Sequence, residues 1–169
     1  MMSAHRFDPR IRFLRLALLG LAACAAAALA TPAAAQERFA GQWRVAGAVP
    51  GPWTRDPKNA VDEAEAQRFI GKTLTIGAQG FRAPEPLGCV KPTYTFRNAG
   101  ADTLFEGSLN ADGADKPTDP VVAARALGVT QKTMRGMTAS CSEVEFFLLD
   151  PDTFVFGLNN RVFTAKRVK

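Results

Sequence analysis

The sequence predicts a mainly β domain, with about eight short antiparallel strands closed into a barrel and two short helices between them. Three observations carry this. Short segments in which apolar and polar residues alternate recur along the chain, each bounded by Gly, Pro, Asn or Asp. Two other stretches open on Asp-Pro and end on Gly, which is helix punctuation. Residues 36–169, about 134 residues beyond an apolar leader, match the length of one domain with one core. Eight short antiparallel strands in that length favour closure into a barrel.

The elements follow in order. Trp43, Val45 and Val49 alternate with polar or small residues in a first strand that opens at Gly41-Gln42 and ends at Pro50-Gly51-Pro52. Asp56-Pro57 places Asp at the N-cap and Pro at the first helical position of a helix over 58–70. Asp62, Glu63 and Glu65 come early in that helix and Arg68 late, the order its dipole favours, and Gly71 stops it. Leu74 and Ile76 share one face of a strand over 72–76, and Pro84 and Pro86 interrupt the chain before Cys89. Strands over 93–97 and 103–109 pair Tyr94 with Phe96 and Phe105 with Gly107 and Leu109. Asn110-Ala111-Asp112-Gly113 is a turn. Asp119-Pro120 to Gly128 makes the second helix, with Ala123, Ala124 and Leu127 on its buried side. Four strands over 131–141, 143–149, 154–158 and 161–168 complete the chain, with tight hairpins at Asp150-Pro151-Asp152 and Asn159-Asn160.

Residues 1–35 read as an export signal. Arg6, Arg10, Arg12 and Arg15 precede an apolar run from Leu16 to Ala30, and Ala33-Ala34-Ala35 is a small-x-small cleavage site. Cleavage there leaves 36–169 as a single periplasmic or secreted domain. Leu21-Ala22-Ala23-Cys24 offers a second reading. It resembles a lipobox, which would make the product an outer-membrane lipoprotein anchored through Cys24. No later apolar run approaches the roughly 18 residues of a membrane helix. Both readings leave Cys89 and Cys141 in the domain, and an oxidising compartment makes them a disulfide that closes a loop of about 50 residues, worth ~4 kcal/mol.

The leader also carries His5, the chain's only histidine. Its removal takes away the commonest general base and metal ligand and leaves no imidazole to activate a cysteine. Four of the 21 basic and one of the 16 acidic residues leave with it, so 17 stand against 15, a balance of +2. No basic block exceeds Lys166-Arg167, which excludes a nucleic-acid footprint.

The remaining constellations read as structure before chemistry. Glu143 and Glu145 share a strand face, but Val144, Phe146 and Leu148 take the other, which turns the acids to water. Met134 and Met137, three apart on a strand, point to opposite faces and cannot grip one copper ion. Asn110, Asp112 and Asp115 lack the closing Glu of a calcium loop. No catalytic residue, metal or cofactor is expected. The expected barrel interior is Val45, Leu74, Ile76, Tyr94, Phe96, Phe105, Phe146, Phe154, Phe156 and Phe163, with Gly47, Gly107 and Gly157 leaving space among them. Trp53, between two prolines and a charged stretch, is the loop residue most suited to a contact.

Phe39-Ala40-Gly41-Gln42-Trp43 resembles the N-terminal Gly-x-Trp of the lipocalin-like, or calycin, barrels. The resemblance implies that Trp43 packs across the closed end of the barrel under an arginine of the last strand, either Arg161 or Arg167. Pro52-Trp53, Ile70-Gly71-Lys72-Thr73, Leu87-Gly88-Cys89, Cys141 and Leu158-Asn159-Asn160-Arg161-Val162-Phe163 also resemble a group of small exported bacterial proteins. The Gly-Gln-Trp start also resembles that of the periplasmic inhibitors of secreted metalloproteases. They place their disulfide early and extend an inhibitory N-terminal arm, whereas only Gln36-Glu37-Arg38-Phe39 precedes Gly-x-Trp here after Ala40 is counted with the strand.

Two binding expectations follow, both without catalysis. In the first, a small apolar ligand sits in the barrel against Tyr94, Phe105 and Phe156. In the second, the protein is an interaction module, such as an inhibitor of an exported hydrolase or protease, and meets a periplasmic protein through loops around Trp53 and residues 84–87. An enzyme working by carboxylates alone is the third and least favoured.

Overall fold

The structure, a computed structural model, describes residues 32–55, 63–110 and 119–169. Residues 1–31 of the expected 1–35 export signal, with His5 and Cys24, the expected helix start at Asp56-Pro57, and Asp112 and Asp115 lie outside the described residues. The strands are β1 (Gly41–Pro50), β2 (Thr73–Gly77), β3 (Gly80–Arg82), β4 (Cys89–Val90), β5 (Tyr94–Ala99), β6 (Met134–Ala139), β7 (Glu145–Asp150), β8 (Thr153–Leu158) and β9 (Arg161–Arg167). They form one antiparallel sheet in the order β4-β3-β2-β1-β9-β8-β7-β6-β5. The helices are α1 (Pro32–Phe39), which runs across the expected cleavage point at Ala35, α2 (Glu63–Phe69) and α3 (Pro120–Ala126).

The mainly β class stands, with two corrections. Among the described residues nine strands replace eight, and the sheet is a curled half-barrel that does not close. β3 and β4 are three and two residues long, too short for alternation to register. The expected strand at 103–109 does not form. Thr103 turns back on the Gly100 carbonyl, and Phe105, Glu106 and Gly107 follow in left-handed conformation at φ 50°, 57° and 78°. Adjacent Leu104 and Phe105 are both buried in one cluster, which a strand does not allow on one face.

Local chemistry explains the elements that do form. Asp119 caps α3 by accepting from the Val121 N–H at 2.8 Å, with Pro120 behind it. Gly71, at φ 79°, ends the stretch after α2. At the β7–β8 hairpin the Asp150 carboxylate accepts from the Asp152 N–H, and Asn159 takes φ 48° at the β8–β9 hairpin.

The sheet is covered on both faces. The inner cluster holds Trp43, Val45, Leu74, Ile76, Phe81, Phe146, Phe154, Phe156 and Phe163, with Phe39 and Phe69 added from α1 and α2. Its rings touch directly: Phe156 stacks on Phe163 at 5.1 Å, and Phe146 meets Phe81 edge-on at 5.3 Å. A second cluster on the outer face gathers Phe147, Val155 and Val162 from β7, β8 and β9 under Leu104, Phe105, Leu109, Ala123 and Ala124. Phe105 therefore belongs to the outer face and not to the interior. Gly157 also turns outward beneath it, while Gly107 lies in the left-handed turn. Gly47 sits at a bulge in β1 with open space beside it.

Side chains fasten the two edges of the open sheet. β4 and β5 lie at opposite edges yet are joined by residues 91–93 alone, so the opening there spans at most ~14 Å. The Cys89–Cys141 disulfide, with Cα atoms 6.1 Å apart, ties β4 to the end of β6. The Tyr94 hydroxyl on β5 donates to the Gly77 carbonyl at 2.9 Å, at the far edge's β2–β3 turn. Phe39 of α1 packs on Phe96 of β5 at 6.1 Å.

Burial holds the Tyr94 phenol above its ordinary pKa of 10.0, so the folded state favours the neutral form. The stabilisation is complete below the unfolded value and falls as pH rises through and beyond it. Tyr94 is the chain's single tyrosine, so tyrosinate absorbance reads this group alone. The expected result is a folded-state midpoint above the midpoint in denaturant, with loss of that alkaline pH dependence in Tyr94→Phe. A folded midpoint at or below the denatured one would refute the seam assignment.

Candidate functional site

The structure separates the residues that the sequence grouped. Phe156 is fully buried among Phe146, Phe154 and Phe163 in the inner core. Tyr94 is half-buried at the seam. Trp43 is fully buried, donates its indole N–H to the Phe39 carbonyl at 2.7 Å, and carries the Arg167 guanidinium 4.0 Å above its ring. Arg167 also donates to the carbonyls of Arg38, Ala40 and Pro151, which binds the start of β1 to the β7–β8 turn. Arg161 lies elsewhere, buried and paired with Glu63 of α2.

Trp53 and Phe105 come together. Trp53 sits in a 3-10 turn, Pro52–Arg55, directly after β1, where its ring lies over Gly51 so closely that a Cβ there would collide with it. Phe105 meets the Trp53 ring at 5.6 Å and the Phe147 ring at 5.6 Å and 80°. Its own ring occupies the place a side chain at Gly157 would take, since a Cβ on Gly157 would come within 2.9 Å of it. Three successive left-handed residues, two of them not glycine, present it there, at a cost of roughly 1–2 kcal/mol for each non-glycine. Strain of this kind collects at binding sites, where the surrounding structure holds it in place.

These two rings line an open cleft of about 230 Å³, together with Glu106, Ser108, Glu143, Val144, Glu145, Gly157, Leu158 and Asn159. Glu106 and Glu143 are exposed at its rim. Glu145 is held by Arg97, whose Nε donates to Oε1 at 2.7 Å, and Arg97 in turn lies over Phe147 at 5.8 Å. Sequence reasoning had placed Glu143 and Glu145 together and Trp53 in a contact loop. It did not join the acids to the rings, and it missed Glu106, because both depend on how residues 101–110 fold back over β7 and β8.

Met134 lies in the outer cluster and Met137 in the inner one. Among the described residues no group of three His, Cys, Asp or Glu side chains is placed to hold a metal. None of the described helices is long and apolar enough to cross a membrane. Comparison of the chain with protein-family models, curated proteins and solved structures returns no match.

Proposed function

We propose that this protein is an exported, non-enzymatic interaction module of lipocalin-like type that binds a periplasmic protein, such as an exported hydrolase, through the cleft lined by Trp53 and Phe105. The observation that carries this reading is the strained, left-handed presentation of Phe105 beside a half-buried Trp53 at an open concavity. The Cys89–Cys141 pair fits an oxidising compartment. An apolar ligand inside the curl is the weaker reading, because Phe146, Phe154, Phe156 and Phe163 are each fully buried against one another where such a ligand would sit.

Co-purification from the periplasm under non-reducing conditions tests it. The wild-type chain is expected to retain a stoichiometric partner that Trp53→Ala loses, while the buried Trp43 environment stays unchanged. Reproducible absence of a partner, or a partner indifferent to Trp53, would remove the reading. The mass of the recovered chain reports its location as well: a start at Gln36 marks a free periplasmic protein, and a lipid-bearing Cys24 marks the anchored form.

A further inference from the structure

We infer that the Trp53–Phe105 cleft receives one arginine side chain presented by the partner protein. The inference rests on the cleft being the binding surface and adds the chemistry of what enters it. About 230 Å³ is less than the roughly 300–1,000 Å³ of a drug-sized ligand site, and suits a single long side chain. The lining brings the Trp53 and Phe105 rings together with Glu106, Glu143 and Glu145, and holds no lysine or arginine among the described residues. A ring face and a carboxylate edge together favour a cation.

The protein's own arginines show which cation that pairing selects. Arg97 lies over Phe147 and closes a two-pronged contact on both oxygens of Glu145. Arg167 lies 4.0 Å over Trp43 with Asp152 at 3.5 Å from its Nε. Arg135 covers Phe96 at 5.7 Å. In the first two a guanidinium lies over a ring and reaches a carboxylate, and Trp53 and Phe105 with Glu106 and Glu143 repeat those components at the cleft. Guanidinium suits such a place better than ammonium because it is planar, weakly hydrated and forked. Arg97 also fixes Glu145 of the cleft lining, while Glu106 and Glu143 are exposed.

The test is a titration of the oxidised protein with N-acetyl-arginine amide, followed by NMR at the two tryptophan indole N–H signals. One of these belongs to buried Trp43 and serves as an internal control for folding. The Trp53 signal is expected to shift and saturate. The uncharged citrulline analogue should leave it still, and the lysine analogue should bind more weakly. Glu106→Gln with Glu143→Gln, both exposed and isosteric, should weaken binding by about tenfold or more without moving the Trp43 signal. Added salt should weaken it further. An equal response to citrulline, tighter binding of the lysine analogue, or no saturable shift at Trp53 would overturn the inference. Retention of a protein partner that depends on Trp53 but ignores the double Glu→Gln variant would overturn the arginine and leave the interaction module standing.

Discussion

Reduction of the Cys89–Cys141 disulfide, or its replacement by two serines, is expected to lower the unfolding free energy by ~4 kcal/mol. The two cysteines lie 52 positions apart in sequence, so removal of the bond frees a long loop in the unfolded chain. The native state loses more than a loop constraint. β4 contributes only Cys89 and Val90 to the sheet, and the disulfide is the covalent tie between that edge and the β6 end. With it gone, the 91–93 connection and the Tyr94 hydroxyl still span the opening, and Phe39 of α1 still packs on Phe96 of β5. Cys141 is exposed, so a reductant reaches the bond without prior unfolding. A urea titration with and without reductant measures the effect as a drop in midpoint. An unchanged midpoint would show that the seam is held by its non-covalent contacts.

Phe156→Ala is expected to cost ~3–5 kcal/mol, the usual range for removing a fully buried ring from a packed core. Phe156 stacks on Phe163 at 5.1 Å and contacts Phe146 at 5.3 Å and Phe154 at 6.1 Å, so the lost volume is surrounded by rigid rings that cannot collapse into it. The same variant separates the two binding readings. If the inside of the curl held an apolar ligand, Phe156 would line a space and its truncation would cost under ~1 kcal/mol, because no packed neighbour would lose contact. Chemical denaturation of the variant decides between these outcomes.

Much of the sheet was legible where side-chain chemistry acts locally. Asp150-Pro151-Asp152 and Asn159-Asn160 encode the β7–β8–β9 hairpins through an Asx turn and a left-handed asparagine, and both are satisfied within a few residues. Asp119-Pro120 encodes the start of α3 in the same way. Val144, Phe146 and Leu148 turn to the inner core while Glu143 and Glu145 turn away, as alternation requires. The segment 101–110 was not legible. Its Phe105, Gly107 and Leu109 mimic a strand, but the backbone reverses to lay Leu104, Phe105 and Leu109 on β7, β8 and β9. Nothing local announces that reversal, since the apolar surface that drives it comes from Phe147, Val155 and Val162, some 40 to 60 residues later.

The candidate site divides along the same line. Trp53 stands out by its setting between Pro52 and a charged stretch, and Glu143 by its alternation. Their meeting with Phe105 and Glu106 is a tertiary event. Closure of the sheet is another. Strand count and length favoured a barrel, yet β4 contributes only two residues and forms no ladder with β5, so side chains fasten what backbone hydrogen bonds do not.

Sequence alone thus determined the β-rich class, the hairpins, the capped helix and the pairing of the two domain cysteines, because each follows from period-two alternation, turn chemistry or residue count. Tertiary structure decided that the sheet stays open, that Arg167 rather than Arg161 covers Trp43, and that an aromatic, acid-rimmed cleft forms outside the curl. The physical reason is range. Alternation and caps act over two to four residues, whereas the seam and the cleft join groups that only the packing of distant strands brings within contact.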